Sequence, residues 1–460
     1  MRSIVSKLDR FGPKPINTKH FPLGFKVTGL HCGIKKSREA LDLGLLVSEH
    51  SDTTAAGCFT RNRFKAAPVK YSISNLLRTK GAALNGVIIN SGCANAVTGS
   101  RGDSDAAEMA SLLDHHLHKI HNHSHPSSLV LSTGVIGQLL PMDRIRAGLV
   151  QGLEQLGSSY ESWRALAEAF MTTDTFPKLL THSFMLGEQE IRFAGIDKGA
   201  GMIHPSMGPP HATLLGLIAT DAAVQPETLQ IALTQAVERS FNRISVDGDM
   251  STNDSVLLLA NGAAGNPILS HSDPADMHRF EIFQQELSGF ATRMAKLIVR
   301  DGEGASKFVQ VSVEGAHSEQ DATIVASTVA TSSLVKCALN GEDANWGRIL
   351  CAVGYSPVSH PIDPTKVSVS IQTLDGSQQI LLLCNGEPEP HVDEQKASAI
   401  LQQEDLRIHI HLGLPNGHHS NFYTCDLSKE YIGQIPLFHS VSEIPLTFVS
   451  LSLSLSLSSL

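Results

Sequence analysis

The sequence lacks the features that mark membrane-spanning and nucleic-acid-binding proteins. It has no uninterrupted apolar run of about 18 residues, the length that a helix needs to cross a bilayer. Acidic residues outnumber basic ones, 45 to 36, which gives a formal net charge of -9. Because phosphate groups are bound by a concentrated basic field, this balance disfavours a nucleic-acid or membrane-surface partner.

Paired cysteines are also missing. Seven cysteines are scattered along 460 residues without a Cys-x-x-Cys pair. An odd, dispersed set is not typical of a disulfide framework or a zinc ribbon, so the sequence predicts a reducing compartment. With 42% hydrophobic and 18% charged residues, the composition indicates an ordinary globular protein with two or three core-forming units.

The N-terminus has no apolar segment of the secretory type. Instead, the first 20 residues combine scattered hydroxyl residues with five basic residues against one acid, Asp9. This pattern predicts an organellar presequence over residues 1–20, and a basic N-terminal arm is the alternative. The basic residues are Arg2, Lys7, Arg10, Lys14 and Lys19.

The sequence does contain a central stretch, Lys198–Ala222, that places a hydroxyl residue at the border between a loop and an apolar segment. A loop rich in Gly and Pro runs into Ala212-Thr213 and then directly into an apolar run. If the bond between these two residues opened, Thr213 would carry a free α-amine with a pKa of about 7.7–8.0 beside its own hydroxyl. One residue would then supply both nucleophile and base. A helix cap or strand start is the commoner role of such a Thr.

The stretch KGAGMIHPSMGPPHAT resembles the self-cleavage motif of the ornithine acetyltransferase family. In that family a Lys-Gly-x-Gly-Met-Ile-x-Pro segment leads to an Ala-Thr junction, and the insert Gly208–His211 is of the fungal type. The resemblance implies autocleavage between Ala212 and Thr213, with Thr213 as the catalytic nucleophile.

A second candidate element is LVLSTGVIGQLLPMD, in which an apolar strand breaks into a Gly-containing loop. The position of Thr133 and Gly134 can aim a hydroxyl and a backbone N–H at one point. Acyl transfer needs such donors for its developing oxyanion. The resemblance implies that Thr133 and Gly134 form the oxyanion hole.

Candidate substrate contacts are spread over three further segments. Thr172 and Thr173 lie beside Asp174, where they either cap a helix or contact a ligand, and Glu303 stands between two glycines before an alternating strand. The resemblance assigns substrate contacts to Thr172, with Thr173 as the close alternative, and to Lys198, Thr213 and Glu303. Lys198 suits a substrate carboxylate, and Glu303 suits an ammonium group.

Two clusters could suggest metal sites, but neither has a complete pattern. Six histidines over residues 115–125 have no patterned carboxylate or cysteine partner, so we interpret them as a solvated, variable linker rather than a metal site. The acidic turn containing Asp247, Asp249 and Asp254 lacks the Gly and Glu of a calcium loop. The prediction is no metal and no bound cofactor.

The alternation of strand-like and helix-like segments predicts an α/β fold of layered sheets flanked by helices. The resemblance further implies a self-cleaved Thr-nucleophile fold of the ornithine acetyltransferase type. The predicted divisions are the presequence, an alpha chain over residues 21–212, a beta chain over 213–432, and an atypical tail over 433–460. That tail is a Leu/Ser repeat where the family continues with an Asn, which suggests a translated intron or a mispredicted exon. An aggregation-prone edge strand is the alternative.

The resemblance also implies the reaction. Thr213 takes the acetyl group from N2-acetylornithine, releases ornithine and passes the group to glutamate, a ping-pong transfer in arginine biosynthesis. It implies a mitochondrial matrix location and a heterotetramer of two alpha and two beta chains, and it leaves acetyl-CoA open as a second donor substrate. The alternatives are a self-processing Thr amidase or aminopeptidase, and an isoform inactivated by its altered C-terminus.

Overall fold

The computed structural model describes residues 6–121, 125–205 and 214–433. Within these ranges the chain forms three sheets with helices packed on them. The strands are β1 (Phe25–Leu30), β2 (Leu43–Ser48), β3 (Thr54–Phe59), β4 (Gly86–Cys93), β5 (Ser128–Val135), β6 (Lys178–Leu186), β7 (Gln189–Lys198), β8 (Leu215–Thr220), β9 (Ile244–Ser245), β10 (Ser255–Ala260), β11 (Phe308–Ala316), β12 (Ser368–Thr373), β13 (Gln379–Cys384), β14 (Glu387–Pro388), β15 (Asp405–His411) and β16 (His418–Cys425).

The helices of the described residues lie between these strands. They are α1 (Lys7–Phe11), α2 (Ala67–Thr79), α3 (Gly99–His121), α4 (Met142–Glu154), α5 (Tyr160–Phe170), α6 (Pro226–Arg239), α7 (Met277–Arg300), α8 (Glu319–Thr331), α9 (Ser333–Asn340), α10 (Trp346–Gly354), α11 (Glu394–Leu401) and α12 (Lys429–Gly433), with short 3-10 turns at Thr18–His20, Phe241–Arg243 and Pro364–Lys366.

The first two sheets pack face to face. A four-stranded sheet has the order β1-β2-β4-β5, and a five-stranded sheet has the order β3-β10-β8-β7-β6. Leu129 and Leu131 of the first sheet share a core with Leu215 and Leu217 of the second. Helices α3 and α4 cover the outer face of the first sheet, and α6 and α7 cover that of the second. The predicted α/β fold of layered sheets is confirmed.

The third sheet belongs to the C-terminal half. Its order is β14-β13-β12-β15-β11-β16-β9, and its core includes apolar side chains of α8, α9, α10 and α11. In the described part of the chain, no single helix is long and apolar enough to cross a membrane. The bent pair α8 and α9 passes on length and composition alone, and its apolar face lies in this core.

The five-stranded sheet interleaves the two predicted chains. β3, β6 and β7 precede the predicted cleavage point, whereas β8 and β10 follow it. Because β8 lies between β7 and β10, and β10 pairs with β3, the sheet's hydrogen bonds cross between the two parts twice. The residues around Ala212 and Thr213, and the tail from 434 onward, lie outside the described residues.

Two local expectations are wrong. The pattern of GFKVTGLHCGIKKS predicts a strand, a turn and a second strand, but after β1 Cys32, Gly33 and Lys35 donate their backbone N–H groups to the buried Asp42 carboxylate, at 2.6, 3.1 and 2.9 Å. These bonds form a loop in place of a strand ladder. The alternation in LDLGLLVSE predicts a half-buried strand, but every residue of β2 is buried, because cores lie on both faces of its sheet.

The histidine-rich stretch is also not a linker over most of its length. α3 continues through His115, His116 and His118 to His121, and the ring of His121 hydrogen-bonds the Ser48 carbonyl at 3.0 Å. Among the described residues, no group of His, Cys, Asp or Glu is arranged to hold a metal ion.

Residues of the predicted presequence contact the folded body. Lys7 Nζ donates to the Ala305 carbonyl at 3.0 Å, and Arg10 pairs with Glu404 at 2.5 Å. These contacts are typical of an N-terminal arm, and the presequence stays a prediction.

Candidate active site

The centre of the candidate site is a contact between the ends of two strands in different sheets. Lys198, the last residue of β7, donates from Nζ to Oγ1 of Thr133 on β5 at 3.1 Å. Since Oγ1 accepts this bond, the hydroxyl hydrogen of Thr133 is left to donate to another group. The sequence predicted both residues as site residues, and the structure brings them together across 65 positions of sequence.

Gly134 occupies a position that only glycine fits. Its φ is +127°, and a Cβ there would lie 2.3 Å from the backbone carbon of Gly92 on the paired strand β4. The close approach of these two backbones holds the end of β5 at one place. A donor at this strand end is therefore pre-positioned, as oxyanion stabilisation requires.

Asn253 hydrogen-bonds the backbone near the same strand end. Its side-chain amide donates to the Ala94 carbonyl at 2.6 Å and to the Ser132 carbonyl at 2.8 Å, and its oxygen accepts from Thr252. The acidic turn of the sequence thus supplies an anchor for the residue preceding Thr133.

Asp174 joins the predicted Thr172 to the Lys198 segment. One carboxylate oxygen accepts the Thr172 backbone N–H at 2.8 Å, and the other accepts the Gly199 N–H at 2.9 Å. Thr172 is therefore fixed beside the end of β7. The neighbouring Thr173 is exposed.

Beneath this junction lies a buried cluster of charges. Lys178 Nζ donates to Asp174 and to Asp301, each at 2.6 Å, and all three side chains are buried. Burial opposes ionisation of Asp174, but Lys178 and Lys198 outweigh it and hold the Asp174 pKa below its usual range. Burial likewise lowers the pKa of Lys178, and the two carboxylates outweigh that effect and raise it. Both shifts favour the charged forms of Asp174 and Lys178.

Lys198 is electrostatically different from Lys178. Burial lowers its pKa, and the charges of Asp174, Asp254 and Glu303 only partly oppose this shift. A lysine that loses its proton more readily than usual, beside a hydroxyl, is typical of a functional site.

Asp197 is buried with both carboxylate oxygens lacking a hydrogen-bond partner in the described residues. Burial raises its pKa well above the usual value, and Lys178 only partly offsets this. Burial therefore favours the protonated form of this side chain.

Glu303 forms another wall of the site. Its backbone N–H donates to the Ala200 carbonyl at 2.8 Å, and a Cβ on Gly201 would lie within 2.7–2.8 Å of the Glu303 carboxylate. The carboxylate thus rests against the glycine segment that follows Lys198. Next to it, Tyr431 donates to Asp247 at 3.1 Å; burial, then Asp247, raise the Tyr431 pKa.

The predicted nucleophile Thr213 and its neighbour Ala212 lie outside the described residues. The residue after Thr213 is buried Leu214, whose carbonyl accepts the Ser255 N–H, and Leu215 then pairs in register with Lys198. The chain therefore enters β8 directly beside Lys198.

Sequence reasoning missed the roles of Lys178 and Asp301. A signal for Lys178 exists, because a lysine four residues after Asp174 opens an apolar strand and would be unpaired if buried alone. Asp301 lies 123 positions further on, and no local pattern marks it.

Known proteins are similar in sequence to this chain over most of its length. The mitochondrial arginine biosynthesis bifunctional protein ArgJ of Postia placenta is 52% identical over 431 residues, 91% of this chain and 92% of that protein. The protein of the same description from Laccaria bicolor is 51% identical over 439 residues, 91% and 93% of the two chains. A solved ornithine acetyltransferase from Mycobacterium tuberculosis, complexed with ornithine, is 36% identical and covers 42% of this chain and 99% of its own, with a TM-score of 0.37.

These relatives define the class: the chain is an acyltransferase of arginine biosynthesis. The model of the ArgJ family matches residues 26–435, and the chain belongs to that family. The predicted family, enzyme class and mitochondrial location are confirmed.

Proposed function

We propose that this protein transfers an acetyl group from N2-acetylornithine to glutamate after cleaving itself between Ala212 and Thr213. The hydroxyl of Thr213 attacks the acetyl carbonyl while its α-amine takes the proton, and the C–N bond to ornithine then breaks. Ornithine leaves with the proton. The amine of glutamate attacks the acetyl-Thr213 ester, which yields N-acetylglutamate and restores the hydroxyl.

The observation that carries this proposal is the Lys198–Thr133 hydrogen bond at the entrance of β8. This bond brings together a hydroxyl donor, the Gly134 backbone and a partly buried lysine beside the start of β8, the strand that follows the proposed nucleophile. Thr133 and Gly134 stabilise the oxyanion in both half-reactions, because each passes through a tetrahedral intermediate.

The remaining residues bind the charged groups of the two amino-acid substrates, namely the α-carboxylate of each, the side-chain ammonium of N2-acetylornithine and the α-ammonium of glutamate. Glu303 binds an ammonium group, Lys198 binds a carboxylate, and Thr172 lines the approach, with Thr173 as the alternative contact. Because one pocket serves both substrates in turn, ornithine must leave before glutamate enters. Acetyl-CoA is a further donor, and two alpha and two beta chains form the assembly in the mitochondrial matrix.

Two other outcomes compete with this proposal. A self-processing Thr amidase or aminopeptidase would use the same nucleophile and pass the acyl group to water. An isoform whose tail over residues 433–460 blocks maturation would stay uncleaved and inactive.

The first experiment is N-terminal sequencing and intact-mass measurement of the expressed chain beside a Thr213→Ala control. The proposal expects pieces 1–212 and 213–460 from the wild type and a single chain from the control. The pieces are then assayed with N-acetylornithine, with and without glutamate.

Formation of N-acetylglutamate at the rate of ornithine release supports the transferase. Release of free acetate at an equal rate with or without glutamate would establish the amidase instead. A single uncut wild-type chain, rescued by a family-like C-terminus, would establish the blocked isoform.

A further inference from the structure

A basic cavity lies outside the site described above. Its volume is about 320 Å³, within the usual range of roughly 300–1,000 Å³ for small-molecule sites. Three cationic side chains line it, Arg63, Lys65 and Lys70, with one carboxylate, Asp103. This concentration of positive charge stands out in a chain whose net charge is -9.

Two of the three cations have no acidic partner among the described residues. Lys70 is paired with Asp103 at 2.5 Å, and both side chains are about half exposed. Lys65 Nζ donates to the Asn62 carbonyl, and the Arg63 guanidinium has no hydrogen-bond or ion-pair partner in the ranges that the structure describes. Arg63 and Lys65 are therefore available to an anion, for which an arginine fork is well suited.

Apolar groups are presented at the same cavity. Phe64 is 70% exposed and Val97 is 64% exposed, so neither side chain contributes much to the protein's own core. Val97 also has a φ of +58°, which is strained for a β-branched residue. An exposed ring beside a cationic wall suits a ligand that combines phosphate with a planar group.

One loop connects this cavity to the candidate active site. Val97 and Thr98 line the cavity, while Ala94 of the same loop donates its N–H to the Val135 carbonyl at 2.9 Å, next to Gly134. The five residues 94–98 thus contact the end of β5 at one end and line the cavity at the other. A ligand bound by its phosphates here can extend a flexible arm toward the reacting group.

We propose that this cavity binds the phosphorylated nucleotide portion of a thioester acyl donor, with the phosphates on Arg63 and Lys65 and the base against Phe64. The inference rests on the proposed acetyl transfer, because it identifies how a second donor reaches the same nucleophile. A free nucleotide shares the chemistry of adenosine and phosphate, and it would occupy the cavity without donating an acyl group.

The test is equilibrium binding of coenzyme A to the mature enzyme by calorimetry. The double variant Arg63→Gln/Lys65→Gln is compared with Lys26→Gln/Arg164→Gln, which removes two positive charges from exposed surface pairs elsewhere. We expect the dissociation constant to rise about tenfold or more in the cavity variant and less than twofold in the control. Asp103→Asn, which removes the competing carboxylate, should tighten binding.

Competition and kinetics distinguish the two sources of phosphate. ADP should displace coenzyme A from the wild type, and inorganic phosphate should do so only weakly. The KM for acetyl-CoA in glutamate acetylation should rise in the cavity variant, while the KM for N-acetylornithine stays within twofold. A nucleotide that binds at the cavity without raising the KM for acetyl-CoA would overturn the donor assignment.

The two proposals fail in different ways. If the wild type does not transfer acetyl from N-acetylornithine, the proposed function fails. If that transfer is intact but coenzyme A does not bind, or binds equally to the cavity variant, the cavity proposal alone is wrong.

Discussion

The Glu303 carboxylate occupies the space that a side chain at Gly201 would need. A Cβ there would meet it at 2.7 Å, and the atoms that must move are the far end of a flexible side chain. Gly201→Ala should therefore displace the carboxylate without breaking the fold. Loss of a charged hydrogen bond predicts KM values for glutamate and N-acetylornithine roughly tenfold higher, with a smaller change in kcat.

The matched control for this change is Gly354→Ala. Gly354 has no atom within 4 Å of a built Cβ, and its backbone is not in the left-handed region. Its variant should keep the wild-type KM. Steady-state kinetics with equal KM values in both variants would place Glu303 outside the substrate site.

Asp197 predicts a pH dependence of stability. Burial raises its pKa in the folded state, whereas the unfolded chain has a value near 3.9. The folded state thus keeps a proton that the unfolded state releases. The free energy of unfolding therefore falls as pH rises above about 4, the pKa of the unfolded chain. The side chain introduced by Asp197→Asn cannot titrate. Between pH 4 and pH 7, the free energy of unfolding of this variant should therefore rise by about 1–3 kcal/mol relative to that of the wild type.

Urea denaturation in a Thr213→Ala background measures this difference on a single uncut chain. Asp143→Asn serves as a control, because the Asp143 side chain is 99% exposed. It should leave the pH profile unchanged. A wild-type profile parallel to that of Asp197→Asn would show that Asp197 is ionised in the fold.

The buried charge cluster ties three elements together. Lys178 opens β6, Asp174 lies between α5 and β6, and Asp301 follows α7. Lys178→Met would leave two buried carboxylates without their cation, which costs about 3–5 kcal/mol. We expect this variant to unfold at a lower urea concentration than the wild type. In acid denaturation, its midpoint should lie at a higher pH.

Lys26→Met is the control for Lys178→Met. Its ammonium pairs with Glu49 at the surface, where both side chains are nearly half exposed, so solvent screens the pair. Equal stability losses in the two lysine variants would contradict a structural role for the buried cluster.

The elements that the sequence predicted well are those whose signal is local. Apolar runs predict β5 and β8, and the helical periodicity of residues 159–170 and 276–298 predicts α5 and α7. The second strand predicted after β1 does not form, because the Asp42 carboxylate accepts the backbone N–H groups that a strand ladder would use. The prediction of a linker at the histidine stretch is wrong, because polar residues can continue a long helix whose other face is already buried.

The sequence names residues of the candidate site, but it does not predict the contacts that hold them in place. Thr133, Thr172, Lys198 and Glu303 carry family motifs, whereas the contacts that hold them arise from distant pairs such as Asp301 with Lys178. Such pairs form only when the sheets pack, so a linear pattern gives no indication of them.

For the molecule as a whole, the interleaved sheet determines what cleavage does to the assembly. β8 is bonded to β7 on one side and to β10 on the other, and β10 is bonded to β3, so two strands of the second piece lie between strands of the first. Cutting between β7 and β8 removes one covalent link but none of these ladders. The shared core of Leu129, Leu215 and their neighbours also spans both pieces.

The two pieces should therefore remain together after cleavage. On size-exclusion chromatography in native buffer, pieces 1–212 and 213–460 should elute in one peak in equal amounts, and they should separate only in concentrations of urea that unfold the protein. The Thr213→Ala chain should elute at the same native volume. Separation of the pieces without denaturant would show that the interleaved sheet is not the main contact between them, because ladders and a common core of this extent do not dissociate without unfolding.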